Sequence, residues 1–273
     1  MTPLPDIAEI LLLPALLVAT LAVASTLRDL SVHVADRGEP ASIDAPRLAL
    51  IVREASARTL LTFVSWLPIS DAHPVRREGI EPRSPVLLVP GYGRGAGACL
   101  FIRIFLNHRG FAWVWAIPHP KGQSLAERAQ ALAEKVAELK RASGSPQVDI
   151  VAHGVGGLVA GWYISHQHGG DSVRRLVTLG TPWRGTRSAV FWRDAVAHEC
   201  LYQSSVLDEL QPPPIPTTAV WSERDPSVTP SSSALPTGAD SVHIDAVGHD
   251  DQLVNARAYR AVQFALLRPS STS

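Results

Sequence analysis

The stretch from Asp149 to Leu158 is where this sequence could present a group for covalent chemistry. It reads DIVAHGVGGL, so an apolar strand ends, a turn of small residues follows, and a helix begins at once. A turn of the form G-x-S-x-G exposes a nucleophilic serine above a sheet, and small flanking residues let strand and helix approach. Ala152 and Gly156 occupy the flanking positions, and Gly154 stands where the serine would be. We therefore predict a nucleophile turn that lacks its nucleophile.

Short apolar strands alternate with helices from residue 84 onward, which predicts an α/β fold with a mostly parallel sheet. The predicted strands are 85–89, Phe111–Ile117, Val148–Ala152, Arg175–Leu179, Thr217–Trp221 and Val242–Ala246. The predicted helices are Ala98–Asn107, Ser124–Arg141, Leu158–His166 and Asp251–Leu267, with a helical, aromatic stretch over Trp183–Pro214. Ser124 followed by Glu127 is the pattern of a capping box.

Several motifs, taken in order, resemble those of the α/β-hydrolase family, in particular bacterial lipases and esterases whose turn reads A/G-H-S-x-G-G. The similar segments are Pro-Gly-Tyr-Gly at 90–93 (oxyanion turn), Leu179–Thr186, Ser204–Leu210 (cap), Trp221–Pro230 (acid loop) and Val247–Asp250 (histidine loop). Pro90 replaces the usual histidine of the oxyanion turn. The resemblance covers Pro85 to Leu267 and implies helices on both faces of the sheet and a small lid around 183–216.

The resemblance also assigns roles. Asp225 would orient His249, His249 would be the general base, and the backbone N–H groups of Tyr92 and Val155 would form the oxyanion hole. Taken singly, Asp225 is typical of a turn and His249 of a loop, but their joint position after the last two strands favours catalytic positions. Four apolar residues either line an acyl pocket or pack the lid on the sheet: Trp183, Phe191, Trp192 and Leu207.

The resemblance implies hydrolysis of carboxylic esters with lipid-like or other apolar acyl groups. Gly154 cannot form an acyl-enzyme because it has no side chain, so we expect a scaffold with impaired catalysis. Natural loss, an engineered change and an altered mechanism all remain open. The alternatives are a pseudoenzyme that binds a lipid or a partner protein, and a general-base reaction of His249 and Asp225 without a covalent intermediate.

The composition excludes some partners. Lys+Arg and Asp+Glu are both 25, which gives a formal net charge of zero and argues against nucleic-acid binding. No cofactor or metal is predicted: the histidines lack metal-ligand spacing, and Gly91 to Gly97 lacks the Lys-Ser/Thr of a phosphate loop. Cys99 and Cys200 could be paired or free.

The run Ile10–Leu27 is uncharged and about 18 residues long, near the lower limit for crossing a bilayer. We expect membrane association through this segment; Arg28 and Arg37 after the run would then place the domain in the cytoplasm. A secretory signal is the alternative, since Ala22 to Ala24 resembles a cleavage site, and would give a secreted or periplasmic protein. A buried core helix is the third possibility.

Arg47–Leu67 has the pattern of an amphipathic helix, and we expect it to pack on the following domain rather than lie on a membrane. The predicted organisation is a hydrophobic segment at 1–30, an amphipathic helix and linker at 31–83, an α/β-hydrolase domain at 84–268 and a tail at 269–273. The oligomeric state stays open.

Overall fold

The computed structural model describes residues 7–40, 42–65, 67, 69, 74–75, 83–117, 124–210 and 213–268. Its six strands are β1 (Val86–Val89), β2 (Val114–Ala116), β3 (Val148–His153), β4 (Val173–Leu179), β5 (Thr217–Trp221) and β6 (Asp240–His243). They form one sheet in the order β2-β1-β3-β4-β5-β6, and every neighbouring pair is parallel. The strand order reverses between β1 and β3, which opens a crevice beyond their carboxyl ends.

The helices are α1 (Ile7–Arg37), α2 (Ala45–Val64), α3 (Leu100–His108), α4 (Leu125–Ser143), α5 (Val155–His166), α6 (Val196–Glu199), α7 (Ser205–Asp208) and α8 (Ala256–Leu267). Side chains alternate along β1, so Leu87 and Val89 join the core under α4 and α5, whereas Val86 and Leu88 join the core under α3 and α8. Helices therefore cover both faces of the sheet, as predicted.

Helix α4 confirms the capping prediction. The hydroxyl of Ser124 accepts the N–H of Glu127 at 3.2 Å, and the Glu127 carboxylate accepts the N–H of Ser124 at 3.2 Å. The helix ends at Gly144, whose φ of 71° is a left-handed cap. Cys99 and Cys200 are free, buried thiols in the two different cores, which decides the question of pairing.

Some predicted elements differ from those in the structure. The last strand is Asp240–His243 and not Val242–Ala246, because its polar residues lie on the exposed edge of the sheet while Ile244 and Val247 are buried beyond its end. The stretch Trp183–Pro214 holds a 3₁₀ helix at Arg187–Phe191 and the short helices α6 and α7, with loops between them.

Helices α1 and α2 pack side by side. One face of α1 is buried through Ala22, Thr26, Asp29 and His33, at the three- and four-residue spacing of a helix. Five leucines nearer its start are more than half exposed: Leu12, Leu13, Leu16, Leu17 and Leu21. By length and composition, Leu12–Arg37 could cross a membrane.

Helix α2 packs on the sheet domain, as predicted. Leu50, Ala57 and Leu61 of its apolar face are buried, whereas Leu60 is 42% exposed. Its partners are the 3₁₀ helices at Ala96–Cys99 and Asp250–Leu253. The predicted linker at 69–83 lies mostly outside the described residues.

Candidate active site

The three residues expected at the site meet at the carboxyl edge of the sheet. Gly154 joins β3 directly to α5, with φ 51° and ψ −126°. Asp225 follows β5, and His249 follows β6 immediately before the 3₁₀ helix at Asp250–Leu253. Because parallel strands bring their carboxyl ends to one edge, residues almost a hundred positions apart become neighbours.

Asp225 and His249 form a hydrogen-bonded pair. Nδ1 of His249 lies 2.8 Å from Oδ2 of Asp225. The other carboxylate oxygen accepts the backbone N–H groups of Ser227 and Val228 at 2.9 and 3.2 Å, and Gln252 donates to Oδ2 at 3.0 Å. Since the ionised carboxylate only accepts, the proton of the pair lies on Nδ1, and Nε2 is left to face the nucleophile turn.

The turn is shaped around a glycine. A methyl group at Gly154 would lie 2.9 Å from Nε2 of His249 and 3.7 Å from Cα of Gly91. The positive φ adds backbone strain for any residue with a Cβ. Any side chain at this position therefore requires the imidazole to move.

The imidazole of His249 is held as a cation. Burial alone lowers the pKa of His249. The charge of Asp225 and its hydrogen bond to the ring, together with the charges of Asp250 and Glu54, outweigh this effect, so the pKa is raised to about 9. At neutral pH both ring nitrogens of His249 therefore carry protons, and Nε2 is a charged donor.

His153 is buried beside the pair. Its ring lies 4.4 Å from that of His249, and its Nε2 is 3.0 Å from the carbonyl oxygen of His249. Burial lowers the pKa of His153 to about 3, so the ring is neutral, donates through Nε2 and leaves Nδ1 as an acceptor. Among the described residues Nδ1 has no partner, and a Cβ at Gly91 would lie 2.8 Å from it. The close approach requires glycine at position 91.

A cavity of about 200 Å³ opens over the turn. It is lined by Arg28, Asp29, Arg58, Gly91, Tyr92, Arg94, His153, Gly154, Val155, Pro182, Phe191, Trp192, Ser227, Val228, His249 and Asp250. Both residues expected to form the oxyanion hole are present. Within the described chain, the backbone N–H groups of Tyr92 and Val155 donate to no protein acceptor.

Two of the four expected substrate residues reach this cavity. The ring of Trp192 stacks on that of Tyr92 at 4.4 Å, and Phe191 lies beside it in the wall. Trp183 and Leu207 are buried elsewhere and line a separate cavity with Leu210. The four expected apolar residues of the cap therefore line two separate cavities, two residues at each.

The fold is similar to solved structures of lipases and esterases. Bacillus licheniformis lipase BlEst2 in its mature form matches with a TM-score of 0.64 and 15% identity, over 70% of this chain and 95% of that chain. Aspergillus fumigatus lipase B matches at 0.60 and 15%, over 88% and 85%. Est1E from Butyrivibrio proteoclasticus matches at 0.55 and 13%, over 71% and 93%.

The chain has the α/β-hydrolase fold. No protein-family profile matches the sequence.

The N-terminal helices α1 and α2 contribute charged side chains to the candidate site. The sequence alone did not predict this contribution. Arg58 of α2 contacts Asp29 of α1 at 3.1 Å and Asp250 at 2.9 Å. Arg94 contacts the same oxygen of Asp250 at 2.9 Å. These ion pairs connect α1, α2, the residue that follows the oxyanion turn, and the histidine loop. One feature of the sequence indicated a possible ion-pair site on helix α2: Glu54 and Arg58 stand four residues apart at the edge of its apolar face.

Glu54 supports the histidine loop from behind. Its carboxylate is fully buried and accepts the N–H groups of Asp250 and Asp251 at 2.9 and 3.1 Å. Burial and the charge of Asp250 raise the pKa of Glu54 to about 7, against the opposing influence of Arg58. A Cβ at Gly248 would lie 2.3 Å from the Glu54 carboxylate, so glycine at position 248 allows this contact.

Proposed function

We propose that this chain is a lipase- or carboxylesterase-like protein that binds apolar acyl compounds and hydrolyses esters slowly or not at all. The observation that carries the proposal is the assembled Asp225–His249 pair facing Gly154, with an Nδ1–Oδ2 distance of 2.8 Å. In this proposal Asp225 has the role of the acid and His249 that of the base, and Gly154 has no oxygen to attack an ester.

The protonation of His249 supports weak catalysis. A general base must be unprotonated to take a proton from water, and its efficiency is highest when its pKa is near the working pH. Because the pKa of His249 is raised to about 9, only a small share of the imidazole is in the basic form at neutral pH. Serine hydrolases that lack a triad residue keep roughly 10³–10⁴-fold acceleration over water, and we expect no more than this here.

The walls of the cavity support an apolar ligand. Phe191, Trp192, Val228 and Pro182 give it apolar surface, and the residues that carry the donors, Tyr92, Val155 and His249, also line it. We also propose that the exposed leucines of α1 attach the protein to a membrane; removal of part of α1 by signal cleavage is the competing possibility.

The experiment is an ester assay on the full-length protein and its Gly154→Ser variant, with short and long acyl p-nitrophenyl esters and a fluorophosphonate probe. We expect labelling and turnover only in Gly154→Ser. Fast turnover by the unmodified chain would overturn the proposal, and its loss in His249→Ala would then indicate direct water attack by a general base. If no ester is turned over by Gly154→Ser and no acyl compound binds the unmodified protein, the apolar acyl site is rejected.

A further inference from the structure

The cavity lining offers hydrogen-bond donors for which the described residues provide no acceptor. Nε2 of His249 and the backbone N–H groups of Tyr92 and Val155 all belong to cavity-lining residues, and none has an acceptor in the described part of the chain. In an intact site the serine oxygen would lie beside Nε2. Here any acceptor for Nε2 comes from solvent or from a ligand in the cavity.

The charged groups around the cavity are paired with one another, so among the described residues its only unpartnered charged donor is Nε2 of His249. The lining holds three guanidinium groups and the imidazole of His249, and these face the carboxylates of Asp29 and Asp250 in the lining and those of Asp225 and Glu54 beside it. Both carboxylates of the lining are already paired, since Asp250 accepts from Arg58 and Arg94 and Asp29 contacts Arg28 at 2.7 Å. No carboxylate of the lining is therefore left without a cation to oppose an incoming negative group.

Resting on the proposed function, we infer that this site binds the carboxylate of an apolar monocarboxylic acid in preference to an ester of that acid. One carboxylate oxygen accepts from the N–H groups of Tyr92 and Val155, and the other accepts from Nε2 of His249. An ester offers the imidazolium only neutral oxygens, whereas the carboxylate offers it a charged acceptor. A charge-assisted hydrogen bond is about twice as strong as a neutral one, which gives the acid its advantage.

Several other charged groups lie near His249, and any titration of these groups would also affect how binding of the carboxylate depends on pH. The groups that face it are Asp225 after β5, Glu54 on α2, His153 at the end of β3, and Asp250 with its partners Arg58 and Arg94. Arg94 and Arg58 keep the pKa of Asp250 below its usual value despite burial, and His153 is neutral, so neither changes charge from neutral to alkaline pH. Glu54 loses its proton near pH 7 and His249 near pH 9, so the loss of binding in alkaline solution is assigned to His249.

The test compares three probes by calorimetry on the full-length protein: octanoate, methyl octanoate and 1-octanol. We expect octanoate to bind at least about tenfold more tightly than either neutral probe at neutral pH, a factor that one charged hydrogen bond can supply. The preference should disappear in His249→Gln and in the unmodified protein above the pKa of His249. His198→Gln, at an exposed histidine of α6 outside the cavity, is the matched control and should keep the preference.

The outcomes separate this inference from the proposed function. Equal binding of all three probes would overturn the carboxylate inference and leave an apolar acyl site intact. Failure of every probe to bind the folded protein would reject both. If His249→Gln does not fold, the imidazole of His249 is followed by NMR in the unmodified protein; a spectrum unchanged by saturating octanoate overturns the inference.

Discussion

The carboxylate of Glu54 accepts a hydrogen bond of 2.9 Å from the backbone N–H of Asp250, the residue that follows His249. The two residues are 196 positions apart, and their contact ties helix α2 to the loop that carries the base. The N-terminal helices are thus a support of the candidate site.

Loss of the Glu54 carboxylate should destabilise the protein. Glu54→Ala leaves two buried N–H groups without acceptors, and each unmet buried donor costs about 1–3 kcal/mol. Glu54→Gln keeps one side-chain oxygen and should lose less. Urea unfolding of both variants measures the difference; equal stability of Glu54→Ala and the unmodified protein would show that the loop does not depend on this contact.

The imidazole of His249 should titrate well above the usual value of 6.5, near 9. Because its folded-state pKa is raised, its contribution to stability is fully present below pH 6.5 and is lost as the pH rises through 9. Removing the negative charge in Asp225→Asn should lower the pKa of His249. NMR titration of the ring checks both statements, and a pKa of 6.5 or less in the unmodified protein would contradict them.

Arg58 and Arg53, on the same helix, should differ in their effect on stability. Arg58→Met leaves Asp29 and Asp250 short of a buried cation and should cost about 3–5 kcal/mol. Arg53 pairs with Asp251, but its side chain is 44% exposed, so Arg53→Met should cost less than about 1 kcal/mol. Urea unfolding compares the two variants. Equal losses of stability would show that the buried ion pairs of Arg58 stabilise the protein no more than the exposed pair of Arg53.

Alanine at Gly154 should cost more than alanine at Gly144. Both glycines have positive φ, 51° and 71°, but a Cβ at Gly144 meets nothing within 4 Å. Gly144→Ala therefore measures backbone strain, roughly 1–2 kcal/mol. Gly154→Ala adds the contact at 2.9 Å with Nε2 of His249. Urea unfolding should show the larger loss in Gly154→Ala, together with a shifted imidazole signal of His249; matching losses would indicate that the imidazole moves freely.

The leucines at the start of α1 should carry any membrane binding. Leu16 and Leu17 are 53% and 60% exposed, so glutamates there should reduce binding to phospholipid vesicles without a loss of folded stability. Phe264→Glu changes a residue of α8 that is 60% exposed and serves as the control. Co-sedimentation with vesicles measures binding, and equal binding by Leu16→Glu/Leu17→Glu and the unmodified protein would contradict attachment through α1.

The resemblance to α/β-hydrolases assigned Asp225 and His249, and the sequence pattern by itself determined the sheet domain and the position of the nucleophile turn. Local pattern was sufficient because buried strands need continuous apolar runs, helices show their own period and caps, and parallel strands bring their following loops to one edge. The Ser124–Glu127 cap and the packing of α2 were predictable for the same reason.

Only the tertiary structure decided what surrounds those residues. Side chains from distant segments that share no local pattern decide which face of α1 is buried. They also decide that Glu54 and Arg58 contact the histidine loop and that Asp29 contacts Arg58. The same holds for the close approach of Nε2 of His249 to Gly154 and for the division of Trp183 and Trp192 between two cavities. Such contacts depend on how whole helices pack on the sheet, and no hydrophobic periodicity or motif in the sequence predicts that packing.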